Sequence, residues 1–314
     1  MIEVPAAVAA FARRGPRWAA FVDALPRTVD DLLAEWSLRV TGDPVHGEVA
    51  LVLPVLTERG VEAVLKVGHV DEESRHEHLT LTTWDGRGAV RLLRADPARG
   101  ALLLERAGPT ALSSLPVLDA CEVVAGLYAT LHVTAPRRLV PLSTLVVRWT
   151  EQLAAAQDVV PAPRRLVQQA VSLGRAFASD PGTDGLTIHA DLHDANVLAS
   201  RRAEGSGGDG TPWLVIDPKG ISGDPAYEPA PLLWNRWDEV ASARDVRFAV
   251  RRRFHTVVDV AGLDEHRVRD WVVVRMMLNA LWTLQDAQEA GRPLDDADRS
   301  WTTRCVTIAK AVQD

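Results

Sequence analysis

Hydrophobic residues in the first hundred positions follow a strand pattern. Four short runs are alternating or continuously apolar, and turns rich in Gly, Pro and charged residues separate them. These runs are GEVALVLPVL, EAVLKVG, AVRLLRAD and GALLLERA. The first thirty-odd residues, which precede these runs, are predicted to be helical, with Thr28 in TVDDLLAEWSL as a possible N-cap. Another helix is predicted from Asp71 to Trp84. The pattern therefore predicts a β-rich segment with little helix.

After Gly108 and Pro109 the hydrophobic period becomes helical. SLPVLDACEVVAGLYATLHV places its apolar residues on one helical face, and similar patterns cover Leu145–Ala178 and the chain from Pro229 onward. Within this region, WLVID indicates a buried strand. We therefore predict an α+β fold with two lobes, a small β-rich lobe over residues 1–106 and a larger, mostly helical lobe over residues 107–314.

Composition narrows the class of protein. The 314 residues are 47% hydrophobic and 25% charged, which is typical of a soluble globular protein. The formal net charge of −7 argues against a nucleic-acid partner. No apolar stretch reaches the ~18 residues of a membrane span, and no secretory signal is recognisable, so we expect no membrane partner and a cytoplasmic location. Cys121 and Cys305 form no metal-binding or disulfide pattern.

The segment TIHADLHDANVL contains two histidines, two aspartates and an asparagine within twelve positions. His189, Asp191 and His193 alternate, so on a strand they would point to one face, as ligands of a metal could. A metal-dependent hydrolase is therefore one interpretation, although such a site usually needs further ligands.

Phosphoryl transfer is the alternative chemistry. It requires an aspartate near the attacking hydroxyl, together with an amide and a carboxylate that hold Mg²⁺. Asp191 and Asn196 lie five residues apart, the spacing of the protein-kinase catalytic loop. Asp217 follows at the end of a predicted strand, and Lys66 lies on an upstream strand. The order and spacing of these residues favour a kinase.

The residues that carry this order also resemble a known family. IHADLHDANVL and WLVIDPKGISGDPAYEPAPLLWN, with VLKVG, TWDGRGAVRLL and ALLLERAGP, resemble the aminoglycoside phosphotransferases. The similarity is closest to the branch of streptomycin 6-phosphotransferases and hydroxyurea-antibiotic resistance kinases, and it runs from Trp36 to Asp286. It implies a protein-kinase-like fold and transfer of the γ-phosphate of ATP or GTP, with Mg²⁺, to a hydroxyl of a small molecule.

The resemblance also implies roles on the nucleotide side. Lys66 would hold the α- and β-phosphates, and Glu73 would orient it, with Glu77 on the same helix face as the alternative. Two further groups are implied around the nucleotide: the turn containing Gly42 and Gly47 over the phosphates, and backbone atoms of Glu105 to Ala107 at the base.

On the catalytic side, the resemblance implies that Asp191 accepts or orients the hydroxyl proton. Asn196 and Asp217 would hold Mg²⁺. His189 is expected to be structural, since the first histidine of a kinase-like loop usually packs behind that loop.

The acceptor is expected to be an aminoglycoside, with the 6-hydroxyl of streptomycin as the preferred acceptor. Trp282 and Asp286 lie on one helix face with Asn279, where a ring and a carboxylate could contact a guanidinium group. They could equally be a core residue and a solvated residue. Other candidates are residues that either contact the acceptor or shape their loops, namely His193, Glu228 and Asn235.

Three other interpretations stay open on the sequence alone. One is a kinase of a different hydroxylated metabolite or amino sugar, because a fold does not determine an acceptor. The second is the metal-dependent hydrolase. The third is a nucleotide-binding protein without transfer activity, which the joint presence of Lys66, Asp191, Asn196 and Asp217 argues against.

Overall fold

The structure is a computed structural model that describes residues 4–47, 50–70, 74–202 and 212–313. The helices are α1 (Ala6–Ala9), α2 (Pro16–Glu35), α3 (Glu77–Trp84), α4 (Val117–Leu131), α5 (Leu142–Ala155), α6 (Arg164–Ser179), α7 (Ala230–Trp234), α8 (Trp237–Ala241), α9 (Val246–Ala261), α10 (Glu265–Glu289) and α11 (Asp296–Ala311). The strands are β1 (Arg39–Val40), β2 (Val45–His46), β3 (Ala50–Leu56), β4 (Glu62–Gly68), β5 (Leu92–Asp96), β6 (Ala101–Glu105), β7 (Val140–Pro141), β8 (Leu186–Ile188), β9 (Val197–Ala199), β10 (Trp213–Val215) and β11 (Ile221–Gly223). Among these helices, none combines the length and apolarity needed to cross a membrane.

The first of two compact units comprises Met1–Pro109 and Ala199–Gly220. It contains an antiparallel sheet in the order β1-β3-β4-β6-β5, with β2 also paired to β3. The four strands predicted from the hydrophobic pattern are present as β3, β4, β5 and β6. The β-rich N-terminal lobe is therefore confirmed.

Side-chain alternation along β4 determines which residues face the core of this unit. Leu65 and Val67 are buried in a cluster with Val29 and Leu32 of α2. Because successive residues of a strand point to opposite faces, Lys66 points away from this cluster. One face of the sheet therefore packs on α2, and the other carries polar chemistry.

The N-terminal region is helical, as predicted, but its suggested N-cap does not begin a helix. Thr28 was expected to begin a helix, but it lies inside α2, where its hydroxyl donates to the carbonyl of Ala24 at 3.0 Å. The N-cap prediction was therefore wrong. The helix starts earlier because the apolar residues of its whole length, including Leu25 ahead of Pro26, pack in the core of the first unit.

The second unit comprises Thr110–Leu198 and Ile221–Asp314. It is mostly helical, as predicted, and its core is built around α10, which packs against α6 and α11. A small sheet in the order β7-β11-β8 lies beside these helices. The antiparallel pairing of β11 with β8 positions the chain that leaves β8 at Ile188.

The segment Ala199–Gly220 departs from the predicted boundary. The hydrophobic pattern predicted that it belongs to the helical lobe, whereas its described residues, 199–202 and 212–220, pack in the first unit. Arg202 binds the Glu105 carboxylate and donates to the carbonyl of Ala89 at 2.8 Å, and the Val215 N–H donates to the carbonyl of Gly88. The chain therefore returns to the first unit before it re-enters the second.

Gly174 in α6 provides a test of the packing between α5 and α6. Glycine to alanine usually stabilises a helix interior by up to about 1 kcal/mol. A Cβ at Gly174 would overlap the buried Thr150 hydroxyl on α5, so we expect Gly174→Ala to destabilise the protein by about 1–3 kcal/mol. Urea unfolding at pH 7 measures the change.

Gly126→Ala in α4 is the matched control. A Cβ there meets no atom within 4 Å, so the ordinary helical gain of about 0.5–1 kcal/mol is expected. If both variants shift the urea midpoint in the same direction, the packing argument is wrong.

Candidate active site

A buried ion cluster lies in the first unit. The Lys66 ammonium donates to both carboxylate oxygens of Glu77, at 2.8 and 2.7 Å, and to the carboxylate of Asp217. The Lys66 side chain is only 13% exposed. Burial alone would lower the pKa of Lys66, but the two carboxylates raise it above the usual lysine range. Lys66 is therefore a fixed positive charge.

Each member of this cluster comes from a different element. Lys66 lies on β4, Glu77 begins α3, and Asp217 follows β10. Glu77 was the alternative partner of Lys66, and the structure pairs the two directly. Glu73, which the resemblance favoured, lies outside the described residues.

The ion cluster borders a small pocket of the first unit. Its polar lining consists of basic, imidazole and carboxylate groups, namely Lys66, His69, Arg75, Glu77, His78, Asp217 and Lys219. The two predicted turn glycines flank β2: Gly42 lies before it, and the Gly47 N–H donates to the Ala50 carbonyl at 3.0 Å. Their contact with phosphates stays a prediction.

The end of β6 is held by an ion pair that the sequence did not reveal. The Glu105 carboxylate accepts two hydrogen bonds from Arg202, at 2.8 and 2.6 Å, and one from the Arg91 N–H. Burial would raise the pKa of Glu105, but these hydrogen bonds hold it below its usual range. The Glu105 side chain thus anchors the strand end. The predicted backbone role of Glu105 and Ala107 at the base stays untested.

The catalytic-loop candidates lie together in the second unit, between β8 and β9. The Asn196 side-chain amide donates to the Asp191 carbonyl at 3.0 Å. The His193 Nδ1 accepts from the Ala195 N–H, which caps the 3-10 turn containing Asn196. His193 therefore shapes this loop. Because the amide nitrogen of Asn196 is engaged, its oxygen is the atom that suits a hard cation such as Mg²⁺.

Glu228 holds the start of this loop through hydrogen bonds to its backbone. Its carboxylate accepts from the His189 N–H at 2.6 Å and the Ala190 N–H at 3.0 Å, and the His132 ring lies 3.5 Å away. Burial would raise the pKa of Glu228, but His132 and the loop amide hold it below its usual range. With 1% of its surface exposed, Glu228 positions the residues before Asp191 and does not present a carboxylate to an acceptor.

The other acceptor candidates have partners of their own in the second unit. The Asn235 side chain donates to the Pro231 carbonyl at 3.1 Å and so terminates α7. Trp282 lies on α10 with its ring 5.3 Å from Trp149 in an edge-to-face contact, packed against the core. Asp286 is exposed on the same helix. The predicted acceptor contacts of these residues remain predictions.

The sequence pattern did not indicate two residues that hold Glu228 and Glu105 in place. His132 and Arg202 are single polar residues far along the chain from Glu228 and Glu105, and no spacing rule connects them. Ala190 occupies the left-handed region at φ 67°, which glycine adopts most readily, so its residue type did not indicate this geometry either.

The hydrolase interpretation finds no support. Across residues 4–47, 50–70, 74–202 and 212–313, no three His, Cys, Asp or Glu side chains are grouped so that they could hold a metal ion. His189 is fully buried behind the loop, as expected of a structural histidine.

Comparisons with known proteins agree with this geometry. Residues 35–287 match the family described as aminoglycoside/hydroxyurea antibiotic resistance kinase. A streptomycin 6-kinase of Streptomyces glaucescens is 39% identical, over 100% of this chain and 98% of its own. A hydroxyurea phosphotransferase of Kitasatospora aureofaciens is 40% identical, over 92% and 83%.

Solved structures show the same fold. The choline kinase LicA from Streptococcus pneumoniae has a TM-score of 0.58 at 15% identity, covering 91% of this chain and 99% of its own. The GDP and kanamycin complex of APH(2")-IIia has a TM-score of 0.52 at 14% identity, covering 91% and 98%. The predicted protein-kinase-like fold is therefore confirmed.

Glu228→Gln tests the support of the loop. A glutamine offers one acceptor oxygen to two buried N–H groups, so one of them loses its partner. We expect the free energy of unfolding at pH 7 to fall by about 1–3 kcal/mol, measured by urea unfolding. Glu151→Gln, an exposed change on α5, is the control and should have little effect.

The contribution of Glu228 to stability should depend on pH in one direction. Because the folded pKa of Glu228 is lowered, its contribution is present above the unfolded value of about 4.3 and is lost as the pH falls through the folded pKa. The difference in the free energy of unfolding between wild type and Glu228→Gln should therefore become smaller only in that acidic pH range. A constant difference down to the acid transition would contradict this role.

Proposed function

The chain belongs to the aminoglycoside/hydroxyurea antibiotic resistance kinase family, and on this premise we propose that it transfers the γ-phosphate of ATP or GTP to the 6-hydroxyl of streptomycin. It is a phosphotransferase that acts on a hydroxyl of a small molecule. The observation that carries the proposal is Lys66, whose ammonium is held between a helix carboxylate and Asp217. A lysine in this setting is suited to hold nucleotide phosphates.

Substrate class rests on two relatives. The Streptomyces glaucescens relative aligns over the full length of this chain and is named a streptomycin 6-kinase. Hydroxyurea is the second candidate acceptor, because the Kitasatospora aureofaciens relative is equally similar and is named a hydroxyurea phosphotransferase. Both acceptors offer a hydroxyl, so the same catalytic aspartate serves either one.

In the proposed mechanism the protein positions the reactants and balances charge. Asp191, on the loop that Glu228 supports, accepts or orients the proton of the acceptor hydroxyl. The Asn196 amide oxygen and the Asp217 carboxylate would hold Mg²⁺, for which oxygen ligands are preferred. When bound, Mg²⁺ neutralises charge that develops on the phosphates. Lys66 holds the donor phosphates with its fixed charge.

Asp191→Ala tests the catalytic assignment. We expect transfer to fall by roughly 10²–10⁴-fold, since the general base is lost, while nucleotide affinity stays near that of wild type. Transfer is followed by nucleotide consumption with mass detection of product, and affinity by calorimetry. Asp158→Ala, at an exposed aspartate, is the control. Retained turnover in Asp191→Ala would remove Asp191 from this role.

An acceptor panel tests the substrate. Purified protein is incubated with Mg²⁺ and either ATP or GTP, together with streptomycin, hydroxyurea, other aminoglycosides or simple amino sugars. We expect a phosphorylated product of streptomycin, identified by mass and by ³¹P NMR at the 6-position. A product from hydroxyurea or another acceptor, with none from streptomycin, would reject the streptomycin assignment and keep the kinase.

A further inference from the structure

Lys219 lies in a turn whose backbone is closely constrained. Asp217 has a left-handed φ of 67°, Pro218 restricts the next φ, and Gly220 has a φ of 69°. A Cβ at Gly220 would approach the backbone and Cβ of His76 to 2.8 Å, so only glycine fits there. The residues on both sides of Lys219 therefore restrict the position of its backbone.

This turn places Lys219 on the wall of the pocket that contains the ion cluster. Burial raises the pKa of Glu77, whereas the ammonium groups of Lys66 and Lys219 both oppose that rise. Lys219 is thus electrostatically coupled to the buried cluster. Arg75 lines the same pocket from the turn before α3.

The described lining of the pocket carries charges of both signs. The Lys66 ammonium has three N–H donors, and it directs them at two oxygens of Glu77 and one of Asp217. Its single positive charge stands against two carboxylates. Among the described lining residues, Lys219 and Arg75 make the total three cations to two carboxylates. Without these two, the remaining Lys66, Glu77 and Asp217 would carry a formal net charge of minus one.

We propose that Lys219 is a phosphate-binding residue of this pocket, which contacts the polyphosphate chain of the nucleotide, with Arg75 as a second cation at the pocket wall. This inference rests on the proposed function, since it assigns a further residue to the same nucleotide site. Lys219 would add a second ammonium group beside Lys66 on the wall that meets the phosphates.

The lysine content of the chain permits a direct test on the unmodified protein. The sequence contains three lysines, Lys66, Lys219 and Lys310, and Lys310 is exposed on α11. Brief acetylation with an N-hydroxysuccinimide ester, followed by peptide mass spectrometry, reports the reactivity of each amine. The probes are Mg²⁺ with a non-hydrolysable ATP analogue, inorganic tripolyphosphate, and adenosine.

We expect the ATP analogue and tripolyphosphate to protect Lys219 at least several-fold, and adenosine to leave it reactive. Lys310 should acetylate equally under all conditions. Calorimetry on the same samples measures nucleotide binding, and so distinguishes failure of the Lys219 assignment from failure of the proposed function. If the nucleotide binds but Lys219 stays fully reactive, the inference is overturned and the proposed function stands. If no nucleotide binds, both are overturned.

Lys219→Met, with Lys310→Met as the matched control, gives a second measurement. We expect the Kd for the ATP analogue to rise roughly 10- to 100-fold in Lys219→Met, the loss typical of a charge-assisted hydrogen bond. Lys219→Arg keeps the charge and should recover part of this affinity. An unchanged Kd in a folded Lys219→Met protein, checked by circular dichroism, would overturn the assignment.

Discussion

The binding of the Lys66 ammonium by Glu77 and Asp217 is the interaction on which the pocket of the first unit depends. Three elements that are separate in sequence contribute to it: a central strand, the helix after it, and the segment that returns at Ala199–Gly220. Removing one partner of such a buried group leaves an uncompensated charge, which typically costs about 3–5 kcal/mol. The charges of Lys66, Glu77 and Asp217 therefore hold together the three elements that carry them.

The second unit positions the loop that contains Asp191 and Asn196 by a different means. Both oxygens of the Glu228 carboxylate are used by backbone amides that directly precede Asp191. Ala190, which directly precedes Asp191, is left-handed at φ 67°, as is Asp217 in the other unit. A non-glycine residue in this region costs of order 1 kcal/mol or more, so surrounding contacts must maintain it. In the second unit this backbone strain lies beside Asp191, and in the first unit it lies at Asp217 itself.

Much of the fold and part of the site could be predicted. Period-two and helical patterns identified the strands and helices, because alternation and the 3.6-residue turn are local properties. Spacing identified Asp191 and Asn196, because both lie in one short segment. Asp217 and Lys66 were identified because one follows a predicted strand and the other lies on one. The N-cap suggested at Thr28 was wrong, because packing on the sheet continues α2 through a residue whose type favours a cap.

The sequence by itself determined which residue types were available for phosphoryl transfer, and in which order along the chain. It left open whether Glu228 faces the acceptor or the loop, and which glutamate meets Lys66. Tertiary structure decided that Glu228 is buried under the loop amides and that Glu77 reaches Lys66. The reason is physical: periodicity describes which way a side chain points from its own element. The partner that it meets depends on how distant elements pack.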